Sequence, residues 1–136
     1  MSTLSKSVFA LIALLVLAPP VAAADAKPQT DHSGAVTVKV TPLNIARQAV
    51  SWNFEVELNT HTAPLDQDMA RAAALIDGMG NERLPLAWDG DAPGGHHRKG
   101  VLRFQPLPDR PKFIELRLRN IGGVGERVFR WGAGDE

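Results

Sequence analysis

From Val50 to Leu58 the chain alternates without a break. Val50, Trp52, Phe54, Val56 and Leu58 fall on one side, and Ser51, Asn53, Glu55 and Glu57 on the other. A helix would scatter these apolar residues around its cylinder, whereas a strand sends every second side chain to the same face. One dry face and one wet face are what an antiparallel sheet offers, since an all-parallel sheet is covered on both sides. This stretch therefore commits the domain to an antiparallel β architecture.

Other segments repeat the pattern. Ala35–Val40 is β-branched and alternates until Pro42 and Asn44 end it. Gly100–Gln105 places Leu102 and Phe104 inward. Lys112–Asn120 sets Ile114, Leu116 and Leu118 against Glu115, Arg117 and Arg119, and Glu126–Trp131 forms the last strand after a turn at Gly122–Gly125. Residues 65–77 leave two readings open. One is a hairpin strand turning at Gly78–Asn81 and returning through Glu82–Trp88; the other places a short helix in 65–76 ahead of it. About seven strands, with turn signals every 8 to 12 residues, predict an all-β fold, an antiparallel immunoglobulin-like β-sandwich spanning 35–132. Trp52, Trp88 and Trp131 are expected to carry much of its core, since the chain has no cysteine for a disulfide.

The segment ahead of the strands reads differently. Lys6 is followed by an unbroken apolar run from Val8 to Ala18, a Pro19–Pro20 break and small residues at 22–24. This is the pattern of a cleaved secretory signal over residues 1–24, and the run is shorter than the ~20 residues a spanning helix needs. The expected location is the periplasm, with release to the medium as the alternative, and no stable membrane insertion after cleavage. Residues 25–34 are polar and read as a flexible leader carrying His32 as an exposed bystander.

Charge excludes some partners. The formal net charge is zero, so nothing in the overall balance favours nucleic acid. The distribution is uneven: residues 25–92 hold five cations and ten anions, residues 97–130 nine cations and three anions. That asymmetry fits either a basic face for an anionic ligand or, the preferred reading, basic strand faces laid beside acidic ones.

Chemistry-bearing residues are dense in one place only, the loop between Trp88 and Phe104. If a single element crosses the sandwich between His61 and Gly78, then His61, this loop and the Gly122–Gly125 turn share one pole. His61, His96, His97, Asp89 and Asp91 are then candidate ligands for a divalent metal, copper or zinc, whose chemistry suits imidazole nitrogen and carboxylate oxygen. Adjacent histidines in extended chain point to opposite faces, so one would ligate and the other support. Two other readings stay open. The histidines can pin the loop through hydrogen bonds, with Arg98 pairing Asp89 or Asp91, or the pole can contact another envelope protein. Catalysis is not expected. Ser33 and Ser51 are the only serines after residue 24, neither lies in a nucleophile motif, and the chain has no cysteine or tyrosine.

Leu58–Asn–Thr–His–Thr62, Trp88–Asp–Gly90, Pro93–Gly–Gly–His–His–Arg–Lys–Gly–Val–Leu–Arg–Phe104 and Arg127–Val–Phe–Arg–Trp131 together resemble a family of small exported or membrane-anchored bacterial and archaeal proteins of uncharacterised function. The resemblance implies no activity and supplies no catalytic or ligand residue. It does treat His61 and the His96–His97 loop as parts of one pattern. The sequence thus leads to an exported, non-catalytic binding module, either holding a metal at this pole or serving as a structural or adaptor domain.

Overall fold

The computed structural model describes residues 27–109 and 111–133; the expected signal over 1–24 lies outside them. Two antiparallel sheets face each other. The first orders its strands β1 (Gln29–Asp31), β2 (Val36–Asn44), β3 (Trp52–Thr60), β7 (His97–Phe104) and β6 (Ala87–Gly90). The second orders β5 (Glu82–Arg83), β4 (Ala73–Ile76), β8 (Phe113–Ile121) and β9 (Val124–Gly132). The protein is an all-β antiparallel sandwich in which β1 is an addition to the seven strands read from the sequence, and the single return strand expected over Glu82–Trp88 is broken around Pro85, which has no N–H to give a ladder: β5 pairs with β4 in one sheet and β6 with β7 in the other. One helical turn, α1 (Met69–Ala72), is capped by Asp68, whose carboxylate accepts the Ala70 N–H at 3.1 Å. Both readings of 65–77 contribute: α1 comes first, and β4 follows to pair with β5 and β8. Among the described residues no helix is long and apolar enough to cross a membrane.

The core is the inner face of each alternating strand. Trp52, Phe54, Val56 and Leu58 of β3 meet Ile114, Leu116 and Leu118 of β8, with Phe129 and Trp131 of β9 between them. Phe54 packs edge-on to Phe104 at 5.8 Å and lies 5.5 Å from the Trp131 ring. Trp52 and Trp131 are buried, each removing on the order of 150–250 Å² from water, or about 4–6 kcal/mol of gross burial. Trp88 is only half-buried, at the rim. Val50, expected inside, is 96% exposed. The chain turns at Arg47–Gln48, the Trp52 indole N–H bonds the Ala46 carbonyl at 3.0 Å, and Ile45 fills the core instead. Pro42 does not end β2, which runs on to Asn44 past a register shift between Pro42 and Asn44.

The polar stretch read as a flexible leader is also corrected over 29–31. Gln29–Asp31 pairs with Val38–Val40 as an edge strand. Its residues reach across to the other sheet. The Gln29 amide donates to the Arg130 carbonyl and accepts the Arg130 N–H, taking the place of a peptide at the edge of β9. The Trp131 indole N–H bonds the Lys27 carbonyl at 2.8 Å. Asp31 pairs at 3.3 Å with Arg127, which is 1% exposed and also donates to the Ile121 carbonyl. One flank of the sandwich is thereby stitched shut and the β9 edge blunted.

The uneven charge resolves into ladders across neighbouring strands. Glu57 bridges Lys39 and Lys99, Glu55 pairs with Lys99, Asp89 with Arg103, and Glu126 with Arg119, while Glu82 of β5 reaches past β4 to the same Arg119. Acidic faces lie beside basic ones, as cross-strand pairing favours.

Candidate functional site

The parity argument holds: β4 alone crosses between His61 and Gly78. The end of β3, the 91–96 loop and the Gly122–Gly123 turn meet at one pole through hydrogen bonds. Thr60 N–H donates to the His96 carbonyl at 2.9 Å, Thr60 Oγ1 to the Ala35 carbonyl at 2.8 Å, and Ala35 N–H to the Gly122 carbonyl at 3.2 Å. Thr60 Oγ1 also accepts the N–H groups of Thr62 and Ala63, turning the chain sharply after β3. The buried pivot of the Thr–His–Thr triplet is therefore Thr60, and His61 is exposed beside it.

Arg98 organises the rest of the pole. It stands on the inward side of β7 in line with Gly100, Leu102 and Phe104, and is 3% exposed. Its Nη1 donates to the carbonyls of Gln67 at 2.6 Å and Leu65 at 3.4 Å, and its Nε to the Asp91 carbonyl at 3.1 Å. Its guanidinium lies 5.4 Å from the centre of the Trp88 ring. The expected ion pair with Asp89 or Asp91 is replaced by these backbone carbonyls. Burial lowers the Arg98 pKa, and Asp68, Asp91 and Asp66 act in the opposite sense; a guanidinium remains charged at any ordinary pH.

Trp88 is seated by two glycines. Gly90 and Gly100 face each other across β6 and β7, and the indole covers them. A Cβ built on Gly100 would lie 2.5 Å from Trp88 Cζ2 and 2.7 Å from Gly90 Cα. The spacing of Trp88, Gly90 and Gly100 is thus a packing signature. The Trp88 indole N–H bonds the Asp91 carbonyl at 3.1 Å, fixing the loop from beneath.

The five proposed ligands are not brought into one set. Asp89 points outward to Arg103 at 2.7 Å. Asp91 Oδ2 accepts the Lys99 N–H at 2.9 Å. His97 lies on the outer face of β7 in register with Asn59, and its Nδ1–H bonds Asn59 Oδ1. His61 and His96 are exposed on either side of the Thr60–His96 bond. Among the described residues no group of three or more His, Cys, Asp or Glu side chains is placed to hold a metal ion. The pole shares its members as expected, but Asp91 and His97 are engaged by the loop and β3, Asp89 by Arg103, and His61 and His96 stand in solvent.

The opposite pole is different in kind. Six of the seven large exposed hydrophobic side chains among the described residues, Leu43, Val50, Met79, Leu84, Leu86 and Phe113, lie there or beside it. The exception, Val128, sits within β9. Leu84 and Leu86 border a groove of about 520 Å³ against Pro106, Leu107 and Pro108. Sequence reasoning missed this pole because its residues lie singly, in five different turns or strand ends.

The antiparallel sandwich defines the class of the protein. Comparison takes it no further: the chain matches no protein-family model, no curated protein and no solved structure.

Proposed function

We propose that the protein is a non-catalytic structural or adaptor domain of the bacterial envelope, acting by surface contact. The carrying observation is the division of labour between its two ends. At the histidine pole, Arg98, Thr60, Asp91 and His97 spend their hydrogen-bonding groups on holding the loop. At the other end, six large apolar side chains stand in solvent, two of them, Leu84 and Leu86, bordering one groove, and apolar surface gathered at one end supports a contact site there. The export pattern over 1–24 supplies the envelope.

A second reading, a copper or zinc site, has one observation in its favour: His61 and His96 flank a single backbone hydrogen bond and both face solvent. One titration decides between them. Chelator-stripped protein is titrated calorimetrically with copper(II) and with zinc, beside a His61→Ala/His96→Ala/His97→Ala variant. The adaptor reading expects no stoichiometric submicromolar site and a lower melting temperature in the variant. A roughly stoichiometric submicromolar site that vanishes in the folded variant would replace it with metal handling.

A further inference from the structure

We infer that Met79 is a reversible oxidation site. Its thioether accepts an oxygen atom from a two-electron oxidant such as hydrogen peroxide, the fold stays intact, and a thiol-dependent sulfoxide reductase takes the oxygen back. The inference goes beyond the contact reading and does not depend on it.

Sulfur is scarce in this chain. There is no cysteine, and Met69 and Met79 are the only methionines after residue 24. No thiol competes with these two thioethers for an oxidant. The fold treats them oppositely. Met69 opens α1 with its side chain in the core, 1% exposed. Met79 is 84% exposed and belongs to no part of the core.

The turn that carries Met79 is built without its side chain. β4 ends at Ile76 and β5 begins at Glu82. Between them the Asp77 carboxylate gathers the chain. Its Oδ1 accepts the N–H groups of Met79 at 2.9 Å and Asn81 at 2.8 Å, and its Oδ2 accepts from Arg83 at 3.2 Å. The Gly80 N–H bonds the Asp77 carbonyl at 3.0 Å, and the Asp77 N–H the Asn81 carbonyl at 2.9 Å. Gly80 takes a φ of +85°, which glycine adopts without steric cost. Space around the tip is open. A Cβ on Gly80 would meet nothing within 4 Å, and one on Gly78 only Pro111 Cβ at 3.9 Å. The sulfur is therefore accessible to a small oxidant and, on a glycine-flanked tip, to the cleft of a reductase.

In the forward step a sulfur lone pair attacks one peroxide oxygen. The S–O bond forms as the O–O bond breaks, and water leaves; sulfur is oxidised by two electrons and peroxide reduced by two. In the return step two thiols become one disulfide and the sulfoxide oxygen leaves as water. The sulfoxide is polar and chiral where the thioether was apolar. It changes the surface beside the exposed Leu84 and Leu86 and leaves the hydrogen bonds of the turn as they are.

The test protein is the chain from Asp25 onward, which carries every strand and the core. It is treated with millimolar hydrogen peroxide. Trypsin then separates the two sulfurs, Met69 in residues 48–71 and Met79 in residues 72–83. The gain of about 16 Da per oxygen is timed in each peptide and placed by fragmentation. Met79 should react within about threefold of free methionine and at least about tenfold faster than Met69, whose sulfur is reached only when the fold opens. In urea the two rates should converge. The Met79-oxidised protein and Met79→Leu should both melt within about 2 °C of the parent. Methionine sulfoxide reductases of both stereospecificities, with dithiothreitol, should restore the original mass of the folded protein. Equal rates in the folded protein overturn the inference, as does a rate gap that survives in urea. A lower melting temperature on oxidation, or a sulfoxide reduced only after unfolding, overturns it as well.

Discussion

Replacing Arg98 with methionine tests whether the pole is held as described. Methionine keeps most of the side-chain volume, so the loss falls chiefly on polar contacts. Three carbonyls receive the guanidinium, but not equally. Leu65 O also accepts the Gly94 N–H at 2.8 Å, and Asp91 O also accepts the Trp88 indole. Neither is orphaned by the change. Arg98 is the donor at 2.6 Å to Gln67 O, which then loses a charged donor worth about 1.5–3 kcal/mol. The two weaker bonds and the contact with Trp88 add about 1–2 kcal/mol. Relief from keeping a cation buried returns part of this, so the net loss comes to about 2–4 kcal/mol. For a domain of this size that is a fall of roughly 10–20 °C in melting temperature. Urea unfolding followed by tryptophan fluorescence measures it, and Arg98→Lys, with charge but no fork, should fall between. Hydrogen exchange should rise first in the 91–96 loop and at Leu65–Gln67. A methionine variant within about 0.5 kcal/mol of the parent, the range of ordinary surface changes, would refute the assignment of Arg98 as the organiser.

Two further outcomes follow from the same geometry. Gly100→Ala forces Trp88 off its seat, since backbone as well as indole blocks the new methyl; a loss of about 1–3 kcal/mol and a red-shifted, more quenchable Trp88 emission are expected, and unchanged emission would contradict the packing. Asp31 has its pKa lowered from the ordinary 3.8, first by hydrogen bonds from Ser33 and then by Arg127. Its contribution is present above that value and is lost as pH falls below it. The gap in melting temperature between the parent and Asp31→Asn should therefore be widest near neutral pH and close toward pH 2, and a gap that widens on acidification would reverse the sign of the coupling.

The strands with one dry face were legible because burial writes itself into every second residue. β3 from Trp52, β8, and β7 from Gly100 all follow that rule. Reading failed where partners are remote or the rule is broken by a satisfied polar group. Gln29–Asp31 carries no apolar residue, and its strand character comes from β2 and β9. Val50 continued the alternation by chance, beyond the point where Trp52 is tied to Ala46. Arg98 and Arg127 occupy inner positions two residues ahead of Gly100 and Phe129, and extending the alternation backward would have placed both inside. A charged side chain argues for the surface unless its acceptors are known, and here they are carbonyls 31 and 6 residues away. The histidine cluster was half legible: parity brought its members to one pole, but orientation depended on Asn59, Arg103 and the Lys99 N–H.

The seam formed by Gln29 and Arg130 joins residues 101 positions apart. Closing so long a loop costs chain entropy before the contact returns anything, which slows folds built from remote pairings. A chain made from its amino end has β1 in hand almost from the start and must wait for β9 to meet it. Until then Val38–Val40 can hold β1, while the flank facing the second sheet stays open. The order of synthesis thus runs opposite to the order of closure, and the domain becomes sealed only when its last strand arrives.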